Sequence, residues 1–537
     1  MANASAGKIS AWSPLRQPLF RALWLASVIG DVGTWMHNVG AVWLMTSLAP
    51  SADMVALVQA ASALPIFLLA LLAGALADVV DRRRLLLFTQ GWMLVAAAAL
   101  GVLTLIGTIT PWVLLALTFV LGIGAAMSAP AWQAIAPELV SRQELSAAVA
   151  LRGVGFNLAR AVGPALGGIV IAAAGAGITF LINAASFLGV MIVLCCWHRP
   201  PHESVLPAER VMGAMQAGVR YVRHAPALRA VLVRAGVFVV AGSALWALLP
   251  IVVRSELKLD VMGYGVLLGS LGVGTIAGAA FLPKVQRKLA VDWLVASATV
   301  LFAAVMLTLA YVRHFAWLCA VMIVGGAAWI ALMSSLNVAA QTSVPSWVRA
   351  RALAVYLLVF QGGMAAGSIL WGAVAARGGI SFSLLCAAIG LVAGLATITR
   401  YRLTSAQTDL TPSMHWQEPV VVSPFNLEQG PVLVIIAYRI DPARAHDFVL
   451  AMRDLRLERL RDGAIRWDLF RDAADPGRYV ETFILESWVE HLRQHERVTV
   501  ADRAVQERVH TFHVGDTPPT VSHLLSVNER IAKGELT

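Results

Sequence analysis

The chain has 537 residues, of which 58% are hydrophobic and 13% charged, with a net charge of +10 and a mean hydropathy of +0.73. Soluble domains carry about 25% charged residues, so this chain cannot cover itself with polar surface, and lipid is the solvent implied for most of it. The basic excess falls in short loops between apolar runs, which excludes a nucleic-acid-binding face as its reason.

Residues 1–19 are polar and lack the apolar centre of a cleavable signal. Apolar runs of about 20 residues then predict twelve spans near 20–47, 54–77, 85–108, 112–134, 148–174, 178–197, 228–252, 261–283, 292–312, 316–339, 350–375 and 380–399. Loops after even-numbered spans carry DRRR at 81–84, Arg142, a basic cluster from His198 to Arg229, KVQRK at 284–288, Arg349 with Arg351, and Arg400 with Arg402. The opposite loops are nearly uncharged, apart from RSELKLD at 254–260, Arg313 with His314, and Arg377. The positive-inside bias therefore puts both termini in the cytoplasm of a multi-pass inner-membrane protein. The four cysteines lie in apolar runs with no metal-ligand spacing and suggest no disulfide framework.

Residues 403–430 are polar, contain Pro412, Pro419 and Pro424, and read as a linker. Beyond it, PVLVIIAYRI predicts a strand, and Asp441 with Pro442 opens a helix. AIRWDLFRD and RYVETFILES alternate as strands around DPG at 475–477. WVEHLRQHERVTVADRAVQERV predicts one second helix and HTFHV a closing strand. The order β-α-β-β-α-β describes a small α+β ferredoxin-like domain, placed in the cytoplasm. The expected fold class is thus an all-α polytopic membrane protein with twelve transmembrane helices in two six-helix bundles, followed by that domain. The division is 1–197 first bundle, 198–227 inter-bundle linker, 228–402 second bundle, 403–430 linker, 431–525 soluble domain and 526–537 tail. The stretch 208–223 of the inter-bundle linker has the pattern of an amphipathic helix on the inner leaflet.

An internal repeat supports the two bundles. Gly74–Leu85, GALADVVDRRRL, is echoed 204 positions later by Gly278–Leu289, GAAFLPKVQRKL, in which Leu282 replaces Asp78. At the same offset Gly163, Leu166 and Gly168 match Gly367, Leu370 and Gly372, and Phe156 matches Phe360. Two bundles related by an axis along the membrane normal follow.

With twelve spans and GALADVVDRRRL after the second, the chain resembles the major facilitator superfamily. Gly74, Leu76, Ala77, Asp78, Arg82 and Arg83 match that family's loop, while Val79 and Asp81 depart from it. The resemblance implies a gating latch of Gly74, Asp78, Arg82 and Arg83, with Asp78 meeting a neighbouring arginine and the N-terminus of span 11. RAVGPALGG in span 5 resembles the superfamily's antiporter motif through Gly163, Pro164, Gly167 and Gly168. It implies close helix packing and export rather than uptake. The run 130–168 resembles the transmembrane secretion effector, enterobactin-exporter-like branch. Thr118 stands where many drug/proton antiporters carry an arginine, so a proton relay through that position is not available. The C-terminal domain resembles antibiotic-biosynthesis monooxygenases. His491 and His495 share a helix face there but lack the HExxH order, and no cofactor, metal or catalytic residue is assigned.

An ionisable group deep in a span is costly and marks function. Asp31 and Arg160 both count to mid-membrane depth and are the proton-coupling candidates, expected to pair. A structural ion pair is the equal alternative. His37, Asn38, Asn157, Asn337 and Gln361 are cavity candidates, with Asn157 and Gln361 expected to face each other. Trp24, Trp35, Trp43, Trp132, Trp246 and Trp329 fit interfacial or packing roles, with an aromatic wall for a bulky substrate as the alternative for a few of them. No GxxxxGK[ST] motif is present, so ATP does not drive this chain directly. The expected function is a secondary-active, proton-coupled exporter of small organic molecules such as siderophores or drugs. A membrane-anchored enzymatic or sensory C-terminal domain, and nutrient uptake, are the alternatives. The expected partners are substrate, protons and the bilayer, with homodimerisation through the C-terminal domain left open.

Overall fold

The computed structural model describes residues 12–49, 51–141, 144–197, 220–345, 347–403, 409–413, 415–416, 429–515 and 517–526. Contacts divide the chain into two compact units. The first takes residues 1–208, 232–337 and 356–403; the second takes 209–231, 338–355 and 404–537. Most of the predicted amphipathic helix at 208–223 lies outside the described residues.

The first unit is built from α1 (Pro18–Leu48), α2 (Ala52–Val79), α3 (Arg82–Leu105), α4 (Pro111–Leu139), α5 (Leu145–Ala174) and α6 (Ala176–Cys196). There follow α7 (Pro226–Ile251), α8 (Val261–Gln286), α9 (Val291–Tyr311), α10 (Phe315–Thr342), α11 (Arg349–Gly378) and α12 (Ile380–Gly394). Parts of α7, α10 and α11 extend into the second unit. Eleven of these helices, α2 to α12, are long and apolar enough to cross a membrane. The remaining long helix, α1, has 31 residues, and Arg21, Asp31, His37 and Asn38 dilute its apolar character.

Local chemistry sets the boundaries. Asp81, which departs from the family loop, is the N-cap of α3 and accepts from the Arg84 amide. Thr110 caps α4 ahead of Pro111, and Asp260 caps α8. Gly175 (φ +85°) joins α5 to α6, and Gly379 (φ +88°) joins α11 to α12. These two glycines are separated by the repeat offset, so both halves use the same left-handed residue to reverse the chain.

The second unit contains a four-stranded antiparallel sheet of order β2-β3-β1-β4. Its elements are β1 (Val432–Arg439), α13 (Ala445–Asp462), β2 (Arg466–Arg471), β3 (Arg478–Leu485), α14 (Trp488–Arg497), α15 (Val500–His510) and β4 (Thr520–Leu525). Val432, Val434, Ile436 and Tyr438 alternate into a core with Phe448, Met452 and Leu455 of α13. Two sequence expectations are corrected. The single second helix is two, because Thr499 closes a capping box with Asp502 and starts α15 afresh. HTFHV is not the closing strand. Its first residues finish α15, where the Thr511 amide donates to the Glu507 carbonyl, and His513 makes only an isolated bridge to Ile440. The alternating TVSHLL of β4 takes that edge of β1.

Candidate functional site

In the first unit, α1 and α5 run side by side. Gly155 lies against Val28 and Trp24, Gly163 against Val32 and Trp35, and Gly167 against Met36. Asp31 is about 20 Å along α1, and Arg160 about 22 Å along α5, at 1.5 Å per residue. The structure does not pair them. The cation acting on Asp31 is Arg152, two turns earlier on α5, whose guanidinium also covers Trp132 at 5.4 Å. Arg160 is instead committed to a cage of indoles.

Its guanidinium carbon lies 5.8 Å from the Trp35 ring centre, 5.6 Å from Trp246 and 5.8 Å from Trp329. Trp35 belongs to α1, Trp246 to α7 and Trp329 to α10, so the cage draws on both halves of the repeat. Trp329 packs in turn against Trp246, Phe238, Phe302 and Phe360. A desolvated cation–π contact contributes up to about 2 kcal/mol. An unpaired cation at mid-membrane costs at least about 2.5–3.5 kcal/mol. The three rings therefore offset part of that cost without an acid beside the guanidinium.

The RAVGPALGG motif divides its work. Gly163 and Gly167 admit α1, while Gly168 meets α8, where an added Cβ would stand 3.0 Å from the Val261 carbonyl oxygen. A Cβ on Gly265 would come 2.9 Å from the Pro164 carbonyl oxygen. The repeat partner of Gly168 does the same on the other side: Gly372 of α11 lies against Ala52, Asp53 and Ala56 of α2. Between these levels and mid-depth, Gly272 meets Ala161 and Gly362 meets Phe67. The halves thus interlock from mid-depth to the end where α1 finishes and α8 begins, here termed the distal end.

A π-helical turn, Val252–Glu256, follows α7 there. It aims Arg254 at α1. The guanidinium donates to Thr46 Oγ1 at 2.8 Å and Ser47 Oγ at 2.6 Å and covers the Trp43 ring at 5.6 Å. Trp43 stacks on Tyr264 of α8. Arg313, a second exception to the loop charge rule, donates to Glu256 at 3.0 Å and to Ser381 at 3.3 Å. The signal for both residues was present in the sequence as misplaced positive charge.

At the opposite end, Gly74 and Asp78 lie on α2, but their surroundings are outside the described residues. Arg83, one turn of chain beyond, donates to the carbonyls of Leu194 and Cys195 at the end of α6, so it anchors the first bundle internally. Arg82 opens α3. The second half, whose echo lacks the acid, has an ion pair at this end that motif comparison missed. Arg234 of α7 binds Asp292 of α9, which also accepts from the Leu403 amide.

The polar candidates separate. His37 is 3% exposed and packs on Phe180 of α6. Asn38 is exposed, and Asn157 donates to Gly153 of its own helix rather than facing Gln361. Asn337 and Gln361 are half-buried on α10 and α11. Thr118 is buried and donates to the Leu114 carbonyl of its own helix.

In the second unit, Glu481 is fully buried and accepts from Arg459, Tyr438 and Trp467. The C-terminal domain also grips two segments that border the spans. Arg497 stacks on Trp347 at 4.6 Å, Trp347 meets Tyr221 edge-on, Arg461 covers Tyr221 at 5.6 Å, and Arg220 pairs with Glu490 at 3.3 Å. His491 lies between His495 and His523, with ring centres 4.8 and 4.7 Å away. Burial and those two neighbours push His491 down to about 3; burial and His523 push His495 down to about 4. Burial, aided by Asp502, pushes Glu458 up to about 9. Among the described residues, no group of three or more His, Cys, Asp or Glu is placed to hold a metal ion.

The chain matches the transmembrane secretion effector family over residues 9–531. It belongs to that family of major facilitator transporters. The family match runs through the C-terminal domain as well as the spans. The chain is 28% identical to the staphyloferrin A transporter of Staphylococcus aureus over 48% of its own length and 64% of that protein's. It is 25% identical to the multidrug efflux pump Tap of Mycolicibacterium fortuitum, covering 70% of this chain and 94% of the pump. The enterobactin exporter EntS of Escherichia coli is 24% identical over 74% of this chain and 96% of the exporter. Among solved structures, a bacterial homologue of the human lysosomal transporter Spinster superposes with a TM-score of 0.60 at 14% identity, over 73% of this chain and 99% of that one. The nucleoside transporter NupG gives 0.56 at 13% identity, over 72% and 99%. The fold of the spans is that of these transporters.

Proposed function

We propose that the protein is a proton-coupled exporter of small organic molecules, working by alternating access between two six-helix bundles with α1 as the twelfth span. The observation that carries this reading is the seam between the halves. Tight from mid-depth to the distal end, it joins α5 and α2 of the first half to α8 and α11 of the second, and α5 also carries Arg152, the cation that acts on Asp31 of the adjoining α1. The loop charges assign the distal end to the outside and both termini to the cytoplasm of a bacterial inner membrane. The described conformation is then the one closed to the outside, held by Arg254 and the Gly168 and Gly372 contacts.

Asp31 carries the coupling proton. Protonation removes its attraction to Arg152 and with it a charge that ties α1 to α5. Arg160 serves the cycle apart from that pair. Asp78 engages the N-terminal end of α11 when the cytoplasmic side closes, a contact worth about 1–3 kcal/mol, with Gly74, Arg82 and Arg83 shaping its loop. Export rather than uptake follows from the RAVGPALGG resemblance and from named relatives that are exporters and an efflux pump. The C-terminal domain has the strand order and β-α-β-β-α-β sequence of a ferredoxin-like fold, with its second helix broken. It is an accessory cytoplasmic domain and offers a sheet face for a second copy.

The test is proton movement in proteoliposomes on addition of enterobactin and of cationic dyes. Compound-elicited proton flux that disappears in Asp31→Asn supports the reading. Transport of a compound at a rate independent of the pH gradient refutes the coupling.

A further inference from the structure

Other arginines of the first unit have polar partners: Arg83 donates to the Leu194 and Cys195 carbonyls, Arg234 binds Asp292, Arg254 donates to Thr46 and Ser47, Arg313 donates to Glu256 and Ser381, and Arg152 acts on Asp31. Arg160 differs: it lies against three ring faces, and its buried Nε–H has no acceptor among the described residues. A second donor in the same cage is also unsatisfied: the buried Nε1–H of Trp246. Buried donors are normally paired, and those that are not point to a missing partner. Here the missing partner has a defined chemistry. It accepts from a guanidinium and an indole N–H, which calls for oxygen lone pairs, and an anionic oxygen makes the strongest such bond to a guanidinium. The indoles of Trp35, Trp246 and Trp329 that surround the guanidinium favour a partner with a flat apolar face beside its oxygen.

The position suits a transported molecule. Arg160 is at mid-depth, and its cage takes Trp35 from one half of the repeat and Trp246 and Trp329 from the other. A ligand held there touches both moving parts, as alternating access requires. A positively charged cage also repels a cation.

We propose that Arg160, with Trp35, Trp246 and Trp329, is the anion anchor of the substrate site, and that the exported molecule is an organic anion whose carboxylate or other oxyanion adjoins an aromatic or planar face. This rests on the exporter reading above and names its substrate class.

The test uses the full chain in lipid nanodiscs and three related biphenyl probes: 4-phenylbenzoate, neutral 4-phenylbenzamide and cationic 4-phenylbenzylamine. Binding is read by calorimetry and by quenching of tryptophan fluorescence. The wild type should bind the benzoate at least tenfold more tightly than the amide, and the amine more weakly still. Arg160→Gln should bring benzoate and amide within twofold of each other. Arg160→Lys keeps the charge without the planar stack and should retain an intermediate preference, which guards against loss of folding in the glutamine variant. Trp246→Phe should weaken the benzoate alone by severalfold. Equal wild-type affinity for benzoate and amide, no measurable benzoate binding, or an anion preference that survives Arg160→Gln overturns the proposal. Absent anion preference with intact compound-driven proton flux sinks the anchor alone. Anion binding without transport of any compound sinks the exporter reading alone.

Discussion

Arg254 donates to Thr46 at 2.8 Å and thereby ties the turn after α7 to the end of α1. A charged hydrogen bond contributes about 1.5–3 kcal/mol, and this guanidinium also holds Ser47 and covers Trp43. Arg254→Ala should therefore shift the balance toward the conformation open at the distal end by at least about tenfold. Distance measurements between spin labels placed near residues 48 and 258 check it; unchanged distance distributions count against the latch. Arg254→Lys should restore only part of the effect, because an ammonium can donate to both hydroxyls but lacks the planar face that covers the Trp43 indole.

Asp31→Asn removes the acid that faces Arg152 and leaves that cation uncompensated. Gradient-driven export should be lost while exchange of substrate without a gradient persists. Pairing it with Arg152→Gln should recover thermal stability but not coupling, as double-variant melting and flux assays can show.

The C-terminal domain should lose stability as acid is added, through its histidines. His491 and His495 are held near 3 and 4, below the ordinary 6.5, so the unfolded chain binds more protons in between. Their contribution is complete above pH 6.5 and is lost as pH falls toward 4. Glu458 works in the other sense. With its value raised from 4.5 to about 9, its contribution is complete below pH 4.5 and is lost as pH rises toward 9. Hydrogen exchange of β1–β3 in the full chain should show greatest protection near neutral pH. Glu458→Gln should raise protection at pH 8 and leave pH 5 almost unchanged.

Trp347→Ala removes the rings' contacts with Arg497 and Tyr221. Exchange in α14 and in residues 220–224 should accelerate, while β1–β3 keeps its protection. Equal acceleration throughout would mean that Trp347 supports the domain's folding rather than its attachment.

Local pattern carried much of this protein. Runs of apolar residues and the 204-residue repeat outline the helices and the two halves, because solvent partition acts over a few residues. Misplaced positive charge also marked Arg254 and Arg313 before any partner was known. What the sequence left open was choice among neighbours. Arg152 and Arg160 sit eight residues apart on α5, and only the packing of Gly155, Gly163 and Gly167 against α1 turns the first toward Asp31 and the second into the indoles. Trp246 and Trp329 join that cage from helices far along the chain, and Thr499 wins a new helix start inside an otherwise helical pattern. Those outcomes depend on helix rotation and depth, which are settled where backbones touch and which no periodicity along one segment encodes.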